Sequence, residues 1–355
     1  MKGLHLNNKN PEGLTASGFL YFPGEIIKGE GAVNCMERVA GEGKALFFAG
    51  KYTAKAFGRT IKKGIRADDF IFSGEACPSQ VYKAVRLIKE KSIKTLIAAG
   101  GGKAMDTAKY IRKNSPGLRL VLVPTSAATC AAITPVSVMY DEDGSYMSTR
   151  DSAPPDAVIM DYGLFQTLPA AFFAAGAADA IAKYYEALCC AKAAKPDVSG
   201  EAVISMLKAV KKSLNGIIRK NRARQGSDDR AALCDINIML SGLASCAGRY
   251  TPAASIAHGL AHALTGFKAA RGFLHGEHIA PSLIIQEAAA GNAKNLDEIT
   301  GLFEILEMPL TLKELGIKRG EMGELLKRFE KLEAAEKFYV PVKRELLYNV
   351  IDKSL

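Results

Sequence analysis

Up to about residue 160, short apolar runs alternate with amphipathic stretches. Ala45 to Ala49 (ALFFA), Thr95 to Ala99 (TLIAA) and Leu118 to Val123 (LRLVLV) are apolar runs of strand length, the pattern of strands buried on both faces. Between them, Ser79 to Glu90 (SQVYKAVRLIKE) places Val81, Val85, Leu87 and Ile88 at near-helical spacing. Strands alternating with helices predict a parallel, doubly wound sheet with helices on both faces. After Pro154 and Pro155 the pattern changes. One more short run, AVIM before Asp161, is followed by long Ala-, Leu- and Lys-rich segments with few β-branched clusters. Ala174 to Lys192, Glu201 to Arg219, Asp229 to Cys246 and Glu324 to Lys337 are predicted helices. The expected division lies near residues 155 to 165. It separates an α/β nucleotide-binding domain of residues 1–160 from an all-α domain of residues 161–355.

A chain of 355 residues is long enough for two such domains. With 48% hydrophobic and 24% charged residues it has the composition of a globular protein, which excludes disordered and fibrous classes. No apolar run approaches the ~18 residues of a membrane span. The N-terminal MKGLHLNNKNPEGLTASGF lacks the continuous apolar centre of a secretory signal, so a cytoplasmic protein is expected. Its seven cysteines show no CxxC spacing and read as reduced, structural thiols. The net charge of +10 comes from scattered residues (Lys62 and Lys63, Lys211 and Lys212, Arg219 to Arg224) without a nucleic-acid module. A solvated basic face is the expectation, with neither nucleic acid nor membrane as partner.

The segment TLIAAGGGKAMDTAKY runs from an apolar strand through three glycines into a helical pattern. Glycines at a strand-to-helix turn let the backbone approach a pyrophosphate, and the helix N-terminus offers free N–H groups. Gly100, Gly101 and Gly102 are therefore phosphate-site candidates, with Asp106 placed to steady the turn. The run matches neither GxGxxG nor the GxxxxGK[ST] loop. A second loop, Pro124 to Thr129, carries small and hydroxyl residues after another strand end, and two such loops on one sheet edge favour a nucleotide. After ALFFA, an acidic residue would hydrogen-bond the adenosine ribose and favour NAD. The chain has Gly50, Lys51, Tyr52 and Thr53 instead, so NADP(H) is expected to be accepted.

Four of the five histidines, His258, His262, His275 and His278, fall in SIAHGLAHALTGFKAARGFLHGEHIA. His258 and His262 are four apart in an apolar segment, so a helix puts them on one face. Imidazole is a common ligand of divalent metals, and a catalytic site needs about three protein donors with one position open. Asp179, an acid in the small, apolar AAGAADAIAKYYEA, is the attractive carboxylate, although pairing with Lys183 would account for it equally well.

GGGKAMDTAK, PTSAATCAAITPVSVMY, AAGAADAIAKYYEA, NIMLSGLAS, AHGLAHAL and LHGEH occur here in the order seen in glycerol dehydrogenases and iron-type alcohol dehydrogenases, and the chain resembles that superfamily from PGEIIKGEGAV to MPLTLKELGI. The resemblance implies a Rossmann-like α/β domain and a helical C-terminal domain, the dehydroquinate synthase-like fold, with a cleft between them. It implies an NAD(P)(H) cofactor and one divalent metal, zinc first and iron second, in a homo-oligomer acting on a small alcohol or carbonyl substrate. Gly100, Gly101, Gly102, Lys103 and Ala104 would cradle the pyrophosphate, with Thr125, Ser126, Ala128, Thr134, Val136 and Tyr140 along the rest of the cofactor. Asp179, His258 and His275 match the metal ligands. His262 is a candidate for proton relay or for support of the ligands, and Glu277 for orienting His275.

Two departures bear on the substrate. Glycerol dehydrogenases carry an aspartate where this chain has Cys130, and a neutral thiol cannot accept two hydroxyl hydrogen bonds as a carboxylate does. The TCAAxTP stretch is similar to that of a hydroxycarboxylate dehydrogenase branch, which makes a 2-oxo acid the alternative substrate. Lys183 stands where iron-type alcohol dehydrogenases supply another histidine, so the ligand set resembles the three-ligand, zinc type. A dehydroquinate synthase-like lyase is the rival from another class, but its first metal ligand is typically a glutamate. A catalytically silent nucleotide-binding protein is a further rival, against which the retained triad argues.

Overall fold

The computed structural model describes residues 22–355 apart from 153, 194–197, 221–226, 248–254 and 337–339. The segment read for targeting, His5, Arg222, Arg224 and the last residue of the helix expected to reach Lys337 lie outside the described residues.

The N-terminal half contains β1 (Glu25–Gly29), α1 (Met36–Ala40), β2 (Ala45–Gly50), α2 (Lys51–Ile61), β3 (Ala67–Phe72), α3 (Pro78–Lys91), β4 (Thr95–Gly100), α4 (Gly102–Lys113), β5 (Arg119–Pro124), β6 (Val136–Tyr140), β7 (Tyr146–Asp151) and β8 (Ala157–Asp161). Six of the strands form a parallel sheet in the order β1-β8-β5-β4-β2-β3. The predicted strands are its centre. Alternate residues of each strand point to opposite faces. Leu46, Phe48, Leu96, Ala98, Leu120 and Leu122 enter one core, whereas Phe47, Ala49, Ile97, Ala99, Val121 and Val123 enter the other with residues of α1 and α2.

Three strand features escape the apolar-run criterion. β3 (ADDFIF) is an edge strand that exposes both aspartates, and β1 (EIIKG) is a half-buried edge. β6 and β7 form a separate antiparallel hairpin of intermediate burial. Each buries too little side-chain surface to leave a continuous hydrophobic run.

The chain then runs through α5 (Ala170–Ala193), α6 (Val198–Arg219), α7 (Ser227–Cys234), α8 (Ser241–Ala247), α9 (Ile256–Leu264), α10 (His275–Ala289), α11 (Ala293–Ile305), α12 (Met322–Glu336) and α13 (Arg344–Ser354). A π turn over Asp235–Leu240 joins α7 to α8. The helical second half agrees with the expectation from its Ala- and Leu-rich composition. α5 is apolar nearly all round, which fits a helix enclosed on every side. Its Phe173, Ala174, Ala177 and Ile181 belong to the same core as one face of the sheet.

Glycines set how closely this enclosure draws. A Cβ on Gly176 would lie 1.9 Å from the Ala127 carbonyl oxygen, and one on Gly276 would lie 1.9 Å from that of Ala175. The first brings α5 against the loop after β5, and the second brings the start of α10 against α5. Gly276→Ala is therefore expected to lower stability by about 1–3 kcal/mol, because backbone rather than a flexible side chain must move. Gly301, inside α11 with nothing within 4 Å of its Cβ position, is the control. Gly301→Ala is expected to stabilise by up to about 1 kcal/mol. Chemical denaturation of both variants checks the opposite signs.

Candidate functional site

The chain runs outward from β2 to β3, returns to β4 and continues in the other direction to β5, so sheet direction reverses at β2/β4. A crevice forms where parallel strands end at such a reversal. The ends of β2 and β4 are Gly50 and Gly100. Gly100 has φ 153°, and Gly101 begins α4 without a side-chain cap, leaving first-turn N–H groups at the crevice. A Cβ on Gly102 would stand 2.8 Å from Thr129 Oγ1, so the glycine turn and the second loop meet only because that side chain is missing. Thr125 N–H donates to the Gly100 carbonyl at 2.9 Å, joining the two loops.

Asp106 does not cap the turn at Gly101. It is buried and paired with the fully buried Lys109 at 2.9 Å. Burial raises its pKa against the pull of Lys109. Lys109 also donates to the Thr134 carbonyl at 2.9 Å and to that of Val136, fixing the strand that enters β6. Asp106 and Lys109 thus position the cleft wall through α4.

Across the cleft, α5 presents Gly176, Asp179, Lys183 and Glu186 along one helical stripe. Asp179 Oδ1 lies 3.4 Å from His258 Nε2 and 3.7 Å from His275 Nε2. Donor atoms of the three residues all fall within 4.8 Å of one another. Two imidazole nitrogens and one carboxylate oxygen at this spacing suit a single divalent ion, and the partly exposed His275 leaves one side open. Asp179 Oδ2 accepts from Lys183 Nζ at 2.6 Å. The carboxylate therefore serves both the histidines and the lysine.

Glu186 escapes the sequence reading. It accepts from His258 Nδ1 at 2.7 Å and from the His258 backbone N–H at 3.1 Å, and the Ser255 hydroxyl also donates to it. One carboxylate thus holds the start of α9 and the orientation of the His258 ring, with Nε2 left for an ion. The available signal was its place seven residues after Asp179 on the same face of a nearly apolar helix. Glu277, by contrast, does not orient His275. Its Oε2 accepts from the Leu274 N–H at 2.5 Å and closes the first turn of α10.

Burial works against an imidazolium at His258, yet Glu186 and Asp179 raise its pKa to about 9. Burial lowers His275 to about 3 and takes His262 well below its ordinary value, aided there by the neighbouring histidines. Burial opposes ionisation of Asp179, but Lys183 and the two histidines hold its pKa far below the usual range. Burial also opposes the Lys183 cation, and Asp179 more than restores it.

His262 lies flat on Tyr146, with ring centroids 3.9 Å apart, and 6.1 Å from the His275 ring. His278 is buried and bonded to the Ala270 carbonyl at 2.8 Å, a structural role. Cys130 Sγ accepts from Lys183 Nζ at 3.1 Å. A cleft of about 1760 Å³ is lined by Gly50, Gly100, Gly101, Gly102, Lys103, Ala104, Asp106, Thr125, Ser126, Ala128, Cys130, Thr134, Val136 and Tyr140, and equally by Asp179, His258, His262 and His275. The structure therefore gathers the candidate cofactor residues, Cys130 and the candidate metal ligands around one space, with Glu277 outside it.

The family profile described as iron-containing alcohol dehydrogenase matches residues 23–162. Hydroxycarboxylate dehydrogenase A of Escherichia coli strain K12 is 30% identical over 269 residues, 73% of each chain. Glycerol dehydrogenase of Thermotoga maritima is 27% identical over 329 residues, 87% of this chain and 88% of its own. Among solved structures, a probable glycerol dehydrogenase from Sinorhizobium meliloti 1021 superposes with a TM-score of 0.83 at 23% identity. That match covers 95% of this chain and 99% of the other, and it establishes likeness of fold.

An ion held by Asp179, His258 and His275 must displace the His258 proton below about pH 9. Metal affinity in chelator-buffered titrations is thus expected to rise roughly tenfold per unit between about pH 7 and 9, then level off. A flat profile would contradict the raised pKa of His258. Glu186→Gln is expected to weaken the same affinity by about 10- to 100-fold.

Proposed function

The chain belongs to the iron-containing alcohol dehydrogenase family, and we propose that it is a metal-dependent NAD(P)(H) oxidoreductase acting on the CH–OH group of a small polyol, alcohol or hydroxy acid. The convergence of Asp179, His258 and His275 in the same cleft as the glycine turn carries this reading. A divalent ion at the triad, zinc first and iron second, supplies the Lewis acidity that eases loss of the hydroxyl proton or polarises the carbonyl in reverse. The nicotinamide supplies the hydride chemistry.

The chain's own residues provide placement. Gly100 to Ala104 would hold the pyrophosphate at the start of α4, and the loop from Thr125 to Thr134, with Val136 and Tyr140, lines the path toward the triad. Glu186 holds His258 in the orientation that aims Nε2 at the site. His262 stays neutral against Tyr146, a form able to pass a proton from one ring nitrogen to the other. Gly50, Tyr52 and Thr53, which border the cleft at the end of β2, include no acidic residue, which supports use of NADP(H).

A second reading, reduction of a 2-oxo acid, is favoured by one observation. At Cys130 the substrate end of the cleft carries a thiol beside a buried lysine rather than a second carboxylate. That setting suits an anionic substrate better than glycerol.

The test is NADPH and NADH oxidation by protein loaded with zinc or iron, screened over dihydroxyacetone, 2-oxo acids, short aldehydes and succinic semialdehyde. Metal-dependent turnover of at least one carbonyl, lost in His275→Ala, is expected. Turnover indifferent to metal would overturn the proposal, strong selectivity for NADH would overturn the cofactor preference, and activity confined to dihydroxyacetone would remove the case for a 2-oxo acid.

A further inference from the structure

We propose that Lys183 sets the substrate class of this site, as the cation that receives the carboxylate of a 2-oxo acid on the side opened by Cys130. The proposal rests on the CH–OH oxidoreductase reading and adds to it the residue that discriminates among substrates.

Lys183 is almost wholly buried, with only 5% of its side chain exposed. Its three ammonium protons meet three acceptors: Asp179 Oδ2 at 2.6 Å, Ser241 Oγ at 3.1 Å and Cys130 Sγ at 3.1 Å. They are unequal. The carboxylate is a charge-assisted partner, the hydroxyl an ordinary one, and a thiol sulfur a weak one. Ser241 is fully buried and does not border the cleft, whereas Lys183 and Cys130 both do. Asp179 borders the cleft as well, but its bond to Lys183 is charge-assisted, so the thiol is the weaker of the two acceptors on the open side. A substrate carboxylate entering there exchanges a thiol acceptor for an anionic one and takes the Cys130 S–H as a second donor.

Charge points the same way: among the described residues Asp179 is the carboxylate that Lys183 bonds, and its other oxygen faces the two histidines, so an anion arriving beside Cys130 gives the buried cation a second charged partner.

Geometry narrows the anion. Asp179 turns one oxygen toward the two histidines and the other toward Lys183, so the seats for carbonyl and carboxylate are neighbours. A 2-oxo acid has its carboxylate on the carbon next to the carbonyl and can reach both. In a 4-oxo acid the two groups are separated by two further carbons.

The test compares pyruvate with hydroxyacetone, its neutral analogue, on metal-loaded enzyme with NADPH, alongside calorimetric titration of oxamate. Wild type is expected to prefer pyruvate. Lys183→Met is expected to lower the ratio of kcat/KM for pyruvate over hydroxyacetone on the order of 100-fold, chiefly through KM, and to abolish oxamate binding at unchanged metal content. Cys130→Asp, which fills the seat with a fixed carboxylate, is expected to lower the same ratio. Equal loss on both substrates in Lys183→Met would make the lysine only a counter-ion of Asp179, and an undiminished pyruvate preference in Cys130→Asp would also overturn the proposal. Wild type that reduces hydroxyacetone but not pyruvate would overturn the role of Lys183 alone. Wild type that reduces neither substrate nor any other carbonyl would overturn the oxidoreductase reading with it.

Discussion

The division of one buried carboxylate between two kinds of partner governs this site. Asp179 faces His258 and His275 with one oxygen and Lys183 with the other, on a helix rich in alanine and other apolar residues. Removing one member of such a buried pair typically costs about 3–5 kcal/mol, since an unpaired charge is left in a poor solvent. The surrounding helices therefore have little freedom to drift. The close approaches at Gly176 and Gly276 hold α5 against the loop after β5 and against α10, so that residues almost a hundred positions apart in sequence stay in register.

The same constraint connects the two halves of the chain. The sheet face that carries Leu96 and Leu122 shares a core with α5, and the loop after β5 is tied to the helical half by Asn237, whose side-chain amide donates to the carbonyls of Ala127 and Phe173. Asn237 sits in the π turn between α7 and α8, a helical irregularity often found at functional sites. The glycine turn, the second loop and the histidines thus border one cleft although they come from separate parts of the sequence.

Much of this arrangement is legible without coordinates because burial writes itself into composition. The central strands stand out as runs of apolar residues, and the histidines stand out because four of five lie within one short stretch. The edge strands and the β6–β7 hairpin escape notice because half-exposed residues carry no such signal. Asp179 illustrates the limit more sharply. Pairing with Lys183 and facing the histidines look like competing explanations in one dimension, but a carboxylate has two oxygens and does both. Glu186 and Glu277 show the reverse problem. Sequence neighbourhood favours Glu277 as the support of a histidine, while helical spacing and the packing of α9 give that task to Glu186.

Electrostatics makes the site more than a set of ligands. His258 is tuned upward by Glu186 and Asp179, whereas His262 and His275 are kept neutral by burial, so three imidazoles within a few ångströms of one another are prepared differently. Anomalous diffraction from crystals grown with zinc and NADPH tests whether Asp179, His258 and His275 hold one metal ion at the end of the cleft. A single strong peak is expected within bonding distance of Asp179 Oδ1, His258 Nε2 and His275 Nε2, with the cofactor pyrophosphate at Gly100 to Ala104. A peak elsewhere, or none at the triad under saturating zinc, would contradict it.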